Sequence, residues 1–288
     1  MNEAVRQMLA AYEIRSVGDS LRALREVMQE IALLGLWRGK LFERAAFYGG
    51  TALRVLYGLD RFSEDLDFSL LKKGDGFELG DYGESLRREL ASFGFVVEIE
   101  SRKKQAQTAV QSAFLKADTR AQMIRVEFER SLVQQVPQNQ VLKIKLEVDT
   151  DPPPGFSTEV RYLLRPIPFA VRTFSLPDLF AGKMHAVLCR EWKSRVKGRD
   201  LYDFVWFAAY HPELHLSYLE QRMRQTGHWK GPAPLTAGDM RDLLSKRIEK
   251  VDIDQIRREV ERFVKDPAAL AIWAKEFFLD VASRINIV

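Results

Sequence analysis

The sequence changes character near Ser175, and this change limits the folds that the chain can adopt. Up to about residue 170, helical patterns alternate with short strand-like stretches, whereas every later pattern has the ~3.6-residue period of a helix. This layout predicts an α+β fold. We expect a mixed β-sheet domain in residues 1–170 and an all-helical domain in residues 171–288.

Periodicity and breaker residues place the individual elements. A long amphipathic helix is predicted at 19–36, and shorter helices at 85–93 and from Thr51, as N-cap, to Tyr57. Strands are predicted at 45–48, 65–71, 95–100, near Phe114, and at 123–129, 142–148 and 160–164. After a capping box at Ser175–Asp178, helices are predicted at 176–190, 199–210, 215–224, 237–249, 253–265 and 267–284.

The composition is that of a globular protein, with 46% hydrophobic and 29% charged residues. No apolar run approaches the roughly 20 residues that span a bilayer, and the N-terminus lacks the apolar core of a signal peptide. We therefore expect a cytoplasmic protein with no membrane partner.

A mild basic excess is compatible with a nucleic-acid or nucleotide partner. The formal net charge is +4 and the isoelectric point about 9.1. Basic residues cluster at Arg102–Lys104 and in the run Arg190, Lys193, Arg195, Lys197 and Arg199. These clusters are interpreted as solvated faces, with contact to an RNA backbone as the alternative.

Cysteine and histidine give no indication of a metal centre at this stage. Cys189 is the only cysteine, so an intramolecular disulfide and a Cys/His array for structural zinc are not expected. Cys189 is interpreted as a buried apolar residue. The histidines His185, His211, His215 and His228 show no recognised metal-ligand spacing.

The segment Gly49-Gly50-Thr51 joins a predicted strand to a predicted helix. Glycine lets the backbone approach a ligand closely, and the N–H groups at a helix start can bind an anion. The segment is not a Walker A loop, because no Gly-Lys-Ser/Thr follows. It is a candidate phosphate site, with a simple tight turn as the alternative.

A second candidate is the carboxylate pair Asp65 and Asp67. Residues two apart in a strand face the same side, so the two carboxylates repel each other unless a cation lies between them. Oxygen ligands of this kind suit Mg²⁺ (or Mn²⁺), which often shares its shell with substrate phosphates. A solvated sheet edge is the alternative, and the glycine-rich segment upstream favours the metal.

A strand at 143–149 offers a third carboxylate. Lys143, Lys145, Glu147 and Asp149 alternate with apolar residues and share one face. If this strand lies beside Asp65 and Asp67, Glu147 or Asp149 completes a metal-binding triad. An amphipathic strand with salt-bridged charges is the alternative.

Lys183 and Asp203 are charged residues in otherwise apolar helical patterns. Lys183 interrupts an apolar stripe, so its ammonium must reach water or an anion. Asp203 lies in a helix that is apolar nearly all round and needs a cationic partner, for which Lys183 and Arg199 are the candidates. The pair is either catalytic or a structural ion pair between two helices.

The stretch Phe47–Phe68, FYGGTALRVLYGLDRFSEDLDF, resembles the signature of the AbiEii/MenT nucleotidyltransferase-like toxins. The stretch DLFAGKMHAV resembles the helix of that family that carries a catalytic lysine, here Lys183. RDLYDF, 199–204, resembles its last motif, with Asp203 at the acidic position. The resemblance covers residues 19–284 and implies a polymerase-β-like nucleotidyltransferase core followed by a helical domain.

The resemblance also implies a function. Members are toxins of toxin–antitoxin systems, are paired with a separate antitoxin protein, and use an NTP. Some modify the 3′ acceptor end of tRNA and so block translation. By this comparison Gly49, Gly50, Thr51, Arg61 and Ser63 bind the nucleotide together with Lys183. The catalytic set is Asp65, Asp67, Lys183 and Asp203, and the metal ligands are Asp65, Asp67 and Glu147.

Two other classes of function remain open from the sequence. One is a nucleotidyltransferase that modifies a small molecule or a protein. The other is a non-catalytic module that binds a nucleotide or RNA.

Overall fold

The computed structural model describes residues 2–74, 76–102, 109–191 and 197–288. The chain divides by its contacts into two compact units. The first contains Met1–Leu56, Glu64–Pro152 and Val160–Thr173, and the second contains Tyr57–Ser63, Pro153–Glu159 and Phe174–Val288. The domain boundary at residue 170 stays a prediction.

The first unit is built around a mixed sheet of seven strands in the order β3-β4-β5-β2-β1-β7-β6. β1 is antiparallel to β2 and parallel to β7, while β5 is parallel to β2 and antiparallel to β4. The strands are β1 (Ala45–Tyr48), β2 (Leu66–Leu70), β3 (Glu98–Arg102), β4 (Val110–Asp118), β5 (Val141–Asp149), β6 (Thr158–Leu163) and β7 (Phe169–Phe174). The predicted combination of helices with a mixed sheet is therefore confirmed.

Among the described residues up to Asp149, six α-helices precede or separate the strands of this sheet. They are α1 (Glu3–Ala10), α2 (Val17–Arg38), α3 (Gly49–Tyr57), α4 (Gly83–Ser92), α5 (Thr119–Arg125) and α6 (Arg130–Gln135). The predicted helix at 19–36 is confirmed as α2, whose apolar stripe, Leu24, Met28, Ile31 and Leu34, is fully buried. β7, α1 and α6 were not predicted from the sequence.

The strand predicted at 123–129 is wrong, because residues 119–125 form α5. Asp118 is the N-cap, and its carboxylate accepts a hydrogen bond from the Ala121 amide at 2.7 Å. Met123 and Val126 are both buried, and their three-residue spacing suits a helix better than a strand. The local cap and this spacing explain why the helix forms.

After β7, the described part of the second unit is helical apart from the short strands β8 (Glu213–Leu214) and β9 (Asn286–Ile287). An apolar core is formed where α7 (Leu176–Cys189) meets α8 (Arg199–Tyr210), and the stacked rings of Phe180 and Phe207 have their centroids 4.6 Å apart there. The helices are α7 (Leu176–Cys189), α8 (Arg199–Tyr210), α9 (Leu216–Gln225), α10 (Ala237–Lys250), α11 (Ile253–Val260) and α12 (Lys275–Ser283). Within the described ranges, no helix is both long and apolar enough to cross a membrane.

The capping box predicted at Ser175–Asp178 is wrong, although α7 does begin there. The Ser175 hydroxyl donates to the Asp178 carboxylate at 2.6 Å and makes no cap bond to the helix backbone. Asp178 instead accepts hydrogen bonds from the amide and the hydroxyl of Ser157, each at 2.8 Å. A fully buried carboxylate thus ties the start of α7 to the segment before β6.

Glu30 makes the stability of the first unit depend on pH. Its carboxylate is 5% exposed and lies 3.3 Å from Arg165. The pKa of Glu30 is raised to about 7, chiefly by burial and further by the neighbouring Glu26 charge. The Arg165 charge acts in the opposite direction but does not cancel this rise. Because the folded pKa exceeds the unfolded value of about 4.5, the stabilising contribution is complete below that pH and is lost as the pH rises through 7.

We therefore expect Glu30→Gln to raise the free energy of unfolding by about 2–3 kcal/mol near pH 8. Near pH 4 the gain should vanish, because Glu30 of the wild type is then mostly protonated in both the folded and the unfolded protein. Denaturant titration at the two pH values measures the difference. Glu64→Gln, at a partly exposed pair with Arg25, is the control and should show little effect at either pH. An equal gain at both values would contradict the assignment.

Candidate active site

Asp67 and Glu147 lie side by side on the central sheet of the first unit. β2 runs between β1 and β5, and its register pairs Asp67 with Tyr48 on one side and Glu147 on the other. Residues paired in register on neighbouring strands project from the same face. The flanking Leu66 and Phe68 are fully buried, so both strands present carboxylates on one face and core residues on the other.

The register also separates the two candidates for the third carboxylate. Glu147 is opposite Asp67, whereas Asp149 is opposite Ser69. Glu147 lies 2.7 Å from the Lys145 ammonium and accepts a hydrogen bond from Ser112 at 3.2 Å. Asp149 accepts a hydrogen bond from the Asp151 amide at 3.0 Å, which closes the turn after β5. Glu147 is therefore the better-placed partner of Asp67.

Gly49 brings the backbone close to the Asp67 carboxylate. Its φ is +82°, and a Cβ at this position would lie 2.6 Å from Asp67 Oδ2. The first N–H groups of a helix lack intrahelical partners. Since α3 begins at Gly49, its N-terminus lies beside Asp67, which fits the predicted phosphate segment at Gly49, Gly50 and Thr51.

Thr51 does not cap the helix as predicted, because the helix begins two residues earlier. The Thr51 side chain is 1% exposed, and its hydroxyl donates to the backbone carbonyl of Asp65. This bond connects the first turn of α3 to the residue that precedes β2. Thr51 therefore fixes the backbone of the carboxylate segment.

We expect Gly49→Ala to lower the nucleotidyltransferase activity that the resemblance implies by at least about a hundredfold, because the added methyl group displaces the Asp67 carboxylate. The strained left-handed backbone should also cost about 1–2 kcal/mol of stability. Gly94→Ala is the matched control: its φ is +91° and no atom lies within 4 Å of the added Cβ. Denaturant titration should show a similar decrease in the free energy of unfolding in both variants, and only Gly49→Ala should lose activity. Equal activity in the two variants would contradict the close approach of the Gly49 backbone to the Asp67 carboxylate.

In the second unit, Asp203 lies between two cations. Arg61 donates from Nε and Nη2 to the two carboxylate oxygens at 2.5 and 2.6 Å, and Lys183 Nζ lies 2.7 Å from Oδ2. Asp203 is 0% exposed, Arg61 3% and Lys183 15%. Burial raises the pKa of Asp203, but the Arg61 and Lys183 charges outweigh it and hold the pKa below its usual value.

The expected contact between Lys183 and Asp203 is present, but the second partner is Arg61. Arg199, the other candidate, lies 3.7 Å from Glu259 and places its guanidinium over the Phe263 ring. Nothing in the sequence indicated the Arg61 contact, because 142 residues separate it from Asp203. A carboxylate with a lowered pKa is a weak base, so this geometry favours a positioning role for Asp203.

The expectation of no Cys/His array is wrong, although the sequence spacing of His185 and His228 gave no sign of one. Together with Cys189 they offer ligand atoms that all lie within 4.8 Å of one another, so a Cys/His array does exist. His185 and Cys189 are four residues apart on α7, a spacing that places both on one helix face. Burial lowers the pKa of His185 to about 3 and raises that of Cys189 to about 11.

The structure describes only some residues of the two basic clusters. Arg190 is paired with Asp200 at 2.6 Å rather than lying on a purely solvated face. The cluster residues Lys103, Lys104, Lys193 and Arg195 lie outside the described residues.

Comparison with known proteins gives a matching family and nine similar chains among solved structures, two of which follow. Both solved structures are from Helicobacter pylori and share 20% sequence identity with the chain. One, described as a candidate nucleotidyltransferase, covers 90% of this chain and 91% of its own length with a TM-score of 0.48. The other, JHP933, covers 90% and 88% with a TM-score of 0.49. No curated protein matches the chain.

The family match extends over most of the sequence. Residues 31–281 match the family described as nucleotidyl transferase AbiEii toxin, type IV TA system. This range includes every candidate residue of both units. The chain therefore belongs to the AbiEii family of nucleotidyl transferase toxins from type IV toxin–antitoxin systems.

Proposed function

We propose that this protein transfers a nucleoside monophosphate from an NTP to the 3′ acceptor end of tRNA and thereby blocks translation. Membership of the family implies a nucleotide substrate and an antitoxin partner. The observation that carries the proposal is the pairing of Asp67 with Glu147, next to the close backbone approach at Gly49. Carboxylates beside a glycine-led helix start suit a metal-bound triphosphate.

The residues of the first unit fit a divalent metal. Asp65, Asp67 and Glu147 would supply hard oxygen ligands, the donor set that Mg²⁺ or Mn²⁺ prefers. When bound, such an ion offsets phosphate charge and makes a hydroxyl a better nucleophile. The N–H groups of Gly49, Gly50 and Thr51 would donate to phosphate oxygens.

The cation cluster of the second unit supports the proposed roles of Lys183 and Asp203. Lys183 would neutralise triphosphate charge, and its ammonium is the more exposed of the two cations. Asp203 would orient Lys183. The Arg61 guanidinium is engaged by Asp203 and by the Phe62 carbonyl, so we propose that Arg61 acts on the nucleotide indirectly, by holding Asp203.

Incubation of the protein with α-labelled NTPs and total RNA tests the proposal. Label should appear on RNA of tRNA size, at the 3′ end, and only with active protein. Label on small molecules or on protein would favour the rival acceptors. Absence of transfer with every NTP and acceptor, by protein that still binds NTP, would favour a non-catalytic binding module.

We expect NTP binding to depend on Mg²⁺, because the carboxylates repel a bare triphosphate. Titration calorimetry should show at least about tenfold weaker binding in chelator. Glu147→Gln should weaken metal-dependent binding by about tenfold, while Asp149→Asn, which lies opposite Ser69, should bind as the wild type does. The reverse ranking would assign the third carboxylate to Asp149, and equal affinity in chelator would remove the metal.

A further inference from the structure

A compact group of metal-ligand side chains lies in the second unit, separate from the carboxylates. His185 and Cys189 occupy successive turns of α7, and His228 follows the end of α9. One ligand atom from each lies within 4.8 Å of the others. Cys189 is buried, His185 half-buried and His228 exposed, so the group opens to solvent on one side.

Hydrogen bonds hold the loop that carries His228 in place. The His228 amide donates to the Met223 carbonyl at 2.8 Å, and the Gly227 amide donates to the backbone carbonyl of Arg224 at 3.0 Å. The guanidinium of Arg224 donates to the carbonyls of Gly231 and Ala233 at 2.7 and 2.9 Å. These bonds attach the loop that carries His228 to the C-terminal end of α9.

Thr226 orients both imidazole rings. Its hydroxyl oxygen lies 2.9 Å from His185 Nε2 and 2.9 Å from His228 Nδ1, and the hydroxyl donates to the Arg222 carbonyl at 3.0 Å. The rings are perpendicular, with centroids 6.2 Å apart. Hydrogen bonds to a ring nitrogen are the usual way in which proteins orient histidine ligands.

We propose that His185, Cys189 and His228 form a zinc site that clamps α7 to the loop after α9. Two imidazoles and one thiolate are the nitrogen and sulfur donors that Zn²⁺ prefers, and three protein ligands leave a fourth position for water. Binding replaces the thiol proton, which passes to solvent. The neighbouring Arg190 and Arg222 oppose a bound dication, and the thiolate charge offsets part of that repulsion.

Cobalt titration of the metal-stripped, full-length protein tests the site. Co²⁺ replaces Zn²⁺ in such sites, and a thiolate ligand gives a charge-transfer band that carboxylate ligands do not give. We expect this band to saturate at one equivalent in the wild type and to disappear when Zn²⁺ is added. Cys189→Ser should abolish the band, and His228→Ala, in an exposed loop, should weaken Co²⁺ binding by at least about tenfold.

Two variants control for the other possible ligands. His211→Ala removes a histidine outside the group, and Asp67→Asn alters the carboxylate site; both should keep the full thiolate band. Absence of the band in folded wild-type protein would overturn the proposal, as would wild-type affinity in His228→Ala. Neither result depends on nucleotide transfer, so the zinc site and the proposed activity are tested separately.

Discussion

Asp67→Asn is expected to reduce nucleotide transfer by about a thousandfold or more while the protein stays folded. The change is nearly isosteric and removes one charge from the face on which Asp67 and Glu147 are paired in register. On the proposed mechanism, the site then lacks one of its metal ligands. Transfer is measured with labelled NTP and RNA under single-turnover conditions, so that the chemical step is observed directly.

Stability gives an independent readout for the same variant. In the absence of metal, relief of like-charge repulsion should leave the melting temperature unchanged or slightly higher. Asp149→Asn is the matched control, because the same chemical change two residues from Glu147 should preserve activity. An Asp67→Asn protein that transferred nucleotide at the wild-type rate would rule out the mechanism despite the family membership.

Arg61→Met is expected to cause the largest loss of stability in the second unit, about 3 kcal/mol or more. The change removes the two hydrogen bonds that Arg61 donates to the fully buried Asp203 carboxylate. Lys183 remains, but one cation leaves the carboxylate poorly compensated. The expected fall in melting temperature is about 6–12 °C.

The pH dependence of this loss follows from the lowered pKa of Asp203. Because the folded pKa lies below the unfolded value of about 3.9, the contribution is complete at neutral pH and is lost as the pH falls through the folded pKa. The difference between wild type and Arg61→Met should therefore shrink only in strong acid. Arg284→Met, at the exposed pair with Asp280, is the control and should change stability by less than about 0.5 kcal/mol.

Lys183→Met separates a catalytic role from a structural one. If Lys183 acts on the triphosphate, activity should be lost while the melting temperature falls much less than in Arg61→Met, since the two-pronged Arg61 contact persists. If Lys183 serves only as a partner of Asp203, the folded variant should keep its activity and show the same smaller fall in melting temperature.

Much of the local structure was predictable because it depends on neighbours a few residues apart. The apolar period predicted α8 at 199–210, which is Arg199–Tyr210 in the structure, and the alternation after residue 141 predicted β5. The failure at 123–129 has the same origin. In a short apolar segment, a cap such as Asp118 decides between helix and strand, and periodicity alone does not.

The sequence by itself therefore determined the longer elements, such as α2, α8 and β5, their buried faces, and the pair of motifs that indicate the family. Only the tertiary structure decided which distant groups meet. Sheet register placed Glu147, and not Asp149, beside Asp67, and the fold brought Arg61 to Asp203 and His228 to Cys189. Periodicity depends on local backbone geometry, so it can be read from the sequence. These contacts depend on which surfaces are buried together, and the distance between two residues along the chain does not indicate whether they meet.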